Sequence, residues 1–158
     1  MSVTTGIGWD VHRLVEGRPL ILGGVRIDHD RGLEGHSDAD VLTHAVIDAL
    51  LGAAGLGDIG EHFPDADPAY AGADSLALLR DVVALLGARE VLHVDVSVLM
   101  ERPRLARHKA AIRETLAGAL GVAVDRVNVK ATTGERLGFV GREEGVAALA
   151  VATLRARG

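Results

Sequence analysis

Three side chains in the first third of the chain have the chemistry of a metal site. In "GIGWDVHR", Gly6 to Arg13, a strand reading sends Ile7, Trp9 and Val11 to one face and Gly8, Asp10 and His12 to the other. Trp9 and Val11 are then an apolar backing to a polar pair. His44 follows within a helical pattern, on one face with Asp40 and Asp48 four residues to either side. Zinc bound without cysteine takes imidazole and carboxylate ligands, and a catalytic zinc keeps three protein ligands plus an open position. Asp10, His12 and His44 are such a set if strand and helix meet, with Asp48 available to the second ring nitrogen of His44. The same residues also read as a common Asp-x-His strand and a solvated, ion-paired helix face. Spacing alone leaves both open.

A second cluster is "KATTGERLGFVGREEG", Lys130 to Gly145. Two threonines, a glutamate, an arginine and four glycines at a strand end can cradle phosphates through hydroxyls and backbone N–H groups. Glu135 can hold magnesium, which takes one or two carboxylates beside substrate phosphates. A plain glycine-rich hairpin is the competing reading.

These groups need elements to hold them. Residues 3–12 alternate as a strand, and "PLILGGVRID" reads as a hairpin about Gly23-Gly24. Ser37 then caps a helix with Asp38 and Asp40 in its first turn and glycines 52 and 55 at its end. Val41, Leu42, Ala45, Val46, Ala49 and Leu50 form its apolar face. Residues 56–74 are an acidic loop long enough to serve as a lid. Asp74 and Ser75 cap a second helix closed by Gly87, with Leu76, Leu79, Val83 and Leu86 inward. Residues 91–100 alternate as a strand, Pro103 opens a third helix running to Gly121, and "DRVNVKATT" is another strand. "GVAALAVATL" reads as a strand buried on both faces. The expected fold is α+β: a single two-layer domain over residues 1–158, with a mixed, mainly four-stranded sheet and helices on one face. Strands apolar on both faces call for a closed homo-oligomer.

Composition narrows the function. The chain of 158 residues has a formal charge of −5 and no basic tract, which argues against nucleic acid. It has no cysteine, so disulfides and thiolate zinc sites are excluded. No apolar run approaches the ~20 residues that span a bilayer, and the N-terminus lacks the pattern of a signal peptide. A cytoplasmic protein without a membrane partner is expected. There is no P-loop, no H-E-x-x-H and no G-x-S-x-G. "DADPAYAGAD" begins like a calcium loop, but Tyr70 stands where the turn glycine belongs.

Together "GWDVHR", "LILGGVRI", "GHSDADVLTHAVIDALLGAAGLGDIGEHFPD", "NVKATTGERLGF" and "GREEG" resemble the 2-C-methyl-D-erythritol 2,4-cyclodiphosphate synthase family, in the family's order, from about Gly6 to Leu154. The resemblance implies a homotrimer with sheets packed around the threefold axis and active sites shared by adjacent subunits. It implies a zinc-dependent lyase of the non-mevalonate pathway, converting 4-diphosphocytidyl-2-C-methyl-D-erythritol 2-phosphate to the cyclic diphosphate and CMP. The family's zinc ligands fall on Asp10, His12 and His44. Its methylerythritol pocket falls on His36, Ser37, Asp58, Gly60 and Phe63, with Asp65 in the lid. Cytidine and diphosphate contacts fall around Met100 to Ala106, among them Pro103, and on Ala131, Thr132 and Thr133. Glu135, beside Thr133, matches the ligand of a second cation, magnesium or manganese. Phe139, Arg142 and Glu144 match positions lining an axial cavity that holds an isoprenoid diphosphate. Gly134 stands where many relatives carry Thr or Ser, and Val140 and Glu143 also depart from the pattern; the extra charge of Glu143 opposes an anion on the axis.

Overall fold

The structure, a computed structural model, describes residues 2–156; Met1, Arg157 and Gly158 of the expected domain lie outside the described residues. In chain order the elements are β1 (Val3–Glu16), β2 (Leu20–Leu22), β3 (Val25–Ile27), β4 (Arg31–Leu33), α1 (Val41–Ala54), α2 (Ile59–His62), α3 (Ser75–Leu85), β5 (Arg89–Leu99), α4 (Lys109–Leu120), β6 (Val127–Thr132), α5 (Gly138–Gly141) and β7 (Gly145–Ala156). The sheet runs β4-β1-β7-β5-β6, the expected four strands with the short β4 added at one edge. β1 and β5 both pair antiparallel with β7, and β5 with β6 is the parallel pair. β2 and β3 form the expected separate hairpin.

The glycines of β1 explain how α1 lies on the sheet. Gly6 and Gly8 face the helix, and a Cβ on either would overlap the carbonyl oxygen of Ala49 or Ala45. Without side chains there, the backbones of strand and helix approach closely. The helix buries Leu42, Val46, Ile47, Leu50 and Leu51, and β5 and β7 add Val94, Val96, Val98, Ala148, Ala150 and Ala152.

Two helix starts differ from expectation. α1 begins at Val41, and its cap is Asp40, not Ser37. The run Ser-Asp-Ala-Asp offers several capping side chains, and tertiary partners select among them. The wholly buried Asp40 carboxylate accepts from Thr43 N at 3.0 Å and Thr43 Oγ1 at 2.7 Å, and also from Gly23 N at 2.9 Å and Gly24 N at 2.7 Å. It thus ties the β2–β3 turn to the helix. α4 begins at Lys109, not Pro103; residues 100–105 form a loop that buries Met100 and Leu105, and a 3-10 turn spans Ala106–His108. Proline permits a first helical turn but does not impose one.

Smaller differences follow. In α3 the buried set is Leu78, Leu79 and Val82 with Leu86 beyond, while Leu76 and Val83 are only partly covered. The loop 56–74 contains α2 and a 3-10 turn, Pro68–Tyr70. The apolar backing of β1 is open: Ile7 is 68%, Trp9 47% and Val11 48% exposed, and Leu149 and Val151 extend the patch across β7.

Candidate metal centre

Asp10 and His12 point toward α1 on the same side as Gly8, which brings them to His44 on the helix. Asp10 Oδ2 lies 2.9 Å from His12 Nε2 and 3.1 Å from His44 Nδ1, and the two ring nitrogens are 3.3 Å apart. The other ring nitrogens settle the tautomers. His12 Nδ1–H donates to the Glu34 carbonyl at 2.7 Å, and His44 Nε2–H donates to Ser75 Oγ at 2.8 Å. Ser75 Oγ–H in turn donates to Asp38, whose other oxygen takes the Ser75 N–H at 3.0 Å. Two imidazole lone pairs and a carboxylate therefore converge on one point. Such a set suits zinc, with each histidine anchored from behind. Asp48 does not hold His44, as the spacing suggested; it accepts from Ile59 N at 2.7 Å and anchors α2.

The electrostatics favour positive charge beside Asp10, whether a proton on a ring or a metal ion that must displace it. Burial pushes the Asp10 carboxyl up, but when the facing ring nitrogens carry protons, hydrogen bonds from His12 and His44 prevail and bring it down to about 2; a metal ion takes the place of those protons. Burial pushes His12 down, and Asp10 more than offsets it, so the ring sits above its ordinary value.

A cleft of about 680 Å³ opens over the triad, lined by His36, Ser37, Gly60, Phe63 and Asp65 among others. Phe63 packs edge-on against Tyr70, with ring centroids 5.3 Å apart. His36 Nε2 donates to the Asp67 carbonyl at 3.2 Å across the lid loop. Asp58 lies outside this lining; it caps α2, its Oδ1 accepting from Glu61 N at 3.0 Å. A second cavity, of about 340 Å³, gathers Met100, Pro103, Ala106, Ala131, Thr132, Thr133 and Glu135. The two linings share no residue. Phe139 is exposed beside Arg142, which is paired with Glu144 at 2.7 Å.

Sequence reasoning missed Ser75 and Asp38 behind His44 and Lys109 in the second cavity; Glu101 and Arg104 lie within the stretch Met100 to Ala106 that the resemblance marks. The sequence carried no signal for Ser75, which reads there as part of the cap. Asp74 alone caps α3, accepting from Leu76 N at 3.0 Å, so the adjacent hydroxyl is left for other work.

The chain matches the YgbB family over residues 3–155. It belongs to that family. A 2-C-methyl-D-erythritol 2,4-cyclodiphosphate synthase from Symbiobacterium thermophilum is 62% identical over 96% of this chain and 98% of its own length. One from Laribacter hongkongensis is 57% identical over 99% and 98%. The YgbB chain is accordingly an enzyme of the cyclodiphosphate synthase type. Among solved structures, the bifunctional IspDF of Campylobacter jejuni superposes with a TM-score of 0.95 at 44% identity. The chain is covered to 99% there and spans 43% of that longer protein. A Plasmodium falciparum IspF in complex with CDP gives 0.87 at 28% identity, covering 99% of this chain and 98% of that one. No helix among the described residues is long and apolar enough to cross a membrane.

Proposed function

We propose that the chain converts 4-diphosphocytidyl-2-C-methyl-D-erythritol 2-phosphate to 2-C-methyl-D-erythritol 2,4-cyclodiphosphate and CMP in the non-mevalonate isoprenoid pathway. The observation that carries the reading is the convergence of Asp10, His12 and His44 at the head of a cleft, each histidine held from behind. Zinc there, one per subunit, supplies a Lewis acid for a β-phosphate oxygen. The chain's own residues do the rest by positioning. His36, Ser37, Gly60 and Phe63 hold the methylerythritol unit, with Asp65 in the lid over it. Asp58 has Oδ2 to accept a hydroxyl while Glu61 N–H holds Oδ1. Thr132 and Thr133 offer hydroxyls to the diphosphate, Met100, Pro103, Ala106 and Ala131 shape the nucleotide side, and Glu135 holds magnesium or manganese against the leaving charge. The attacking 2-phosphate oxygen needs no general base, because a phosphate monoester is largely dianionic near neutral pH.

The separation of the two cavities supports sites completed between subunits. His12 on β1 and Thr132 on β6 are separated by β7 and β5, three strand spacings or about 14 Å. The open patch of Ile7, Trp9, Val11, Leu149 and Val151 is the surface that a homotrimer would bury around its axis. An isoprenoid diphosphate at Phe139 and Arg142 and a cytoplasmic setting belong to the same reading.

Incubation with the diphosphocytidyl substrate tests it. CMP plus cyclic product is expected; open-chain phosphate would indicate a phosphohydrolase, and no turnover a binding module. Asp10→Ala and His44→Ala are expected to lose zinc in elemental analysis, and full retention refutes the ligand assignment. Glu135→Gln keeps zinc and loses most magnesium-dependent turnover.

A further inference from the structure

The loop after β5 walls one side of the second cavity, and the turn Thr133–Glu135 walls the other. Where the strands end, backbone joins them: Met100 N–H donates to the Thr132 carbonyl at 2.9 Å. Past that point two consecutive side chains take over. Glu101 Oε2 accepts from Gly134 N–H at 2.8 Å. Arg102 donates from Nε to Glu143 Oε1 at 3.0 Å and from Nη2 to Oε2 at 2.8 Å, a bidentate fork.

Glu143 is also held from its other side. Arg31 Nη1 donates to the Glu143 carbonyl at 3.1 Å, and Arg31 Nη2 lies 3.5 Å from Oε1. The Glu143 side chain is 20% exposed, against 70% for Arg102. Its charge is therefore spoken for by two guanidinium groups, which removes the objection that it repels anions nearby. The backbone adds a second argument. Glu143 has φ of 57°, a left-handed conformation that glycine adopts freely and other residues seldom do. Glu135 and Arg136, on the same segment, also have positive φ, 51° and 62°. Non-glycine residues persist in that region when surrounding contacts over-determine them. At position 143 the contacts are those of the carboxylate together with the backbone, whose N–H donates to the Val140 carbonyl at 3.0 Å and whose carbonyl accepts from Arg31.

We propose that the Glu101–Gly134 bond, which joins the two walls, and the Arg102–Glu143 fork, which ties the first wall to the segment just before β7, together form a latch that holds the nucleotide cavity at a set width. Arg102 and Glu143 are then positioning residues for the nucleotide leaving group, acting through the segments they join. The latch rests on the nucleotide reading of this cavity. With it in place, nucleotide binding does not bear the entropy of ordering two loops; without it, that cost falls on each binding event.

The test uses the full chain, with Glu143→Gly, Arg102→Ala and the double variant titrated with CMP in the presence of magnesium. Each single variant is expected to weaken CMP binding about fivefold, as befits an ion pair with one partner open to water. The double variant is expected to be no weaker than the singles, because both remove one interaction. KM for the diphosphocytidyl substrate rises while kcat changes less. Glu143→Gly separates positioning from folding, since glycine relieves the backbone and its melting temperature is expected to stay at or above that of the parent. A parent chain that fails to bind CMP overturns the nucleotide reading and the latch with it. A parent that binds, with variants binding equally well, overturns the latch alone. So do losses that multiply in the double variant or that track a fall in melting temperature.

Discussion

Ser75 offers no ligand to a metal, yet it sets which nitrogen of His44 can. Its oxygen accepts from His44 Nε2–H and its own O–H donates to Asp38, leaving the Nδ1 lone pair toward Asp10 and His12. Ser75→Ala removes the nearer acceptor, at 2.8 Å, leaving Ser37 Oγ at 3.3 Å, without touching a ligand atom. Zinc affinity measured by chelator competition should fall about 10- to 100-fold, while Ser75→Thr keeps most of it. The ligands themselves were legible in the sequence as residue types at suitable spacing. Their support was not, because a serine next to a helix cap looks like part of the cap. Asp48 was misjudged for the converse reason. Four-residue spacing puts it on the His44 face, but a nearby N–H of Ile59 claims its carboxylate.

Among the elements, the fit of α1 on β1 decides whether a site exists at all. Gly8→Ala would drive a methyl group into the Ala45 carbonyl, so the helix must lift or the strand bend. A loss of about 3 kcal/mol is expected in urea unfolding, and zinc binding should weaken as His44 moves from the strand. Alternation in β1 was readable, as were the glycine-marked ends of α1 and α4. What alternation left undecided was which face of β1 meets the core. Ile7, Trp9 and Val11 look like core residues, but the glycine face carries the helix and the large side chains face outward. The starts of α1 and α4 were misplaced for a related reason. Local capping signals at Ser37 and Pro103 were outweighed by contacts with the β2–β3 turn and by burial of Met100 and Leu105.

For the whole molecule, the open face bears on assembly and one ionic cluster adds a pH-dependent increment to the stability of the buried core. Trp9→Glu puts a charge in the centre of the apolar patch; if the proposed trimer forms through that face, sedimentation should report a folded single subunit for the variant against a trimer for the parent, with turnover lost, and a parent that sediments as a single subunit overturns the trimer. At the far end of the sheet, Arg126 and Arg155 bracket Glu90 at 2.8 and 2.5 Å. Hydrogen bonds from Arg126 and then Arg155 bring its carboxyl down from 4.5 to about 2. Because the folded value is the lower one, the stabilisation is complete above pH 4.5 and fades as pH falls toward 2. Glu90→Gln should therefore melt below the parent at neutral pH, with the gap closing over that acid range. The strand order has a consequence for how the chain is made. β7 sits between β1 and β5, and Val3 finds its partner only at Arg155. As the ribosome delivers residues in sequence, β1 and β5 must wait with bare hydrogen-bonding edges until the stretch from Gly145 onward emerges. Closure of the sheet is thus a late event of synthesis, and losing the residues of β7 would remove the middle of the sheet instead of trimming its margin.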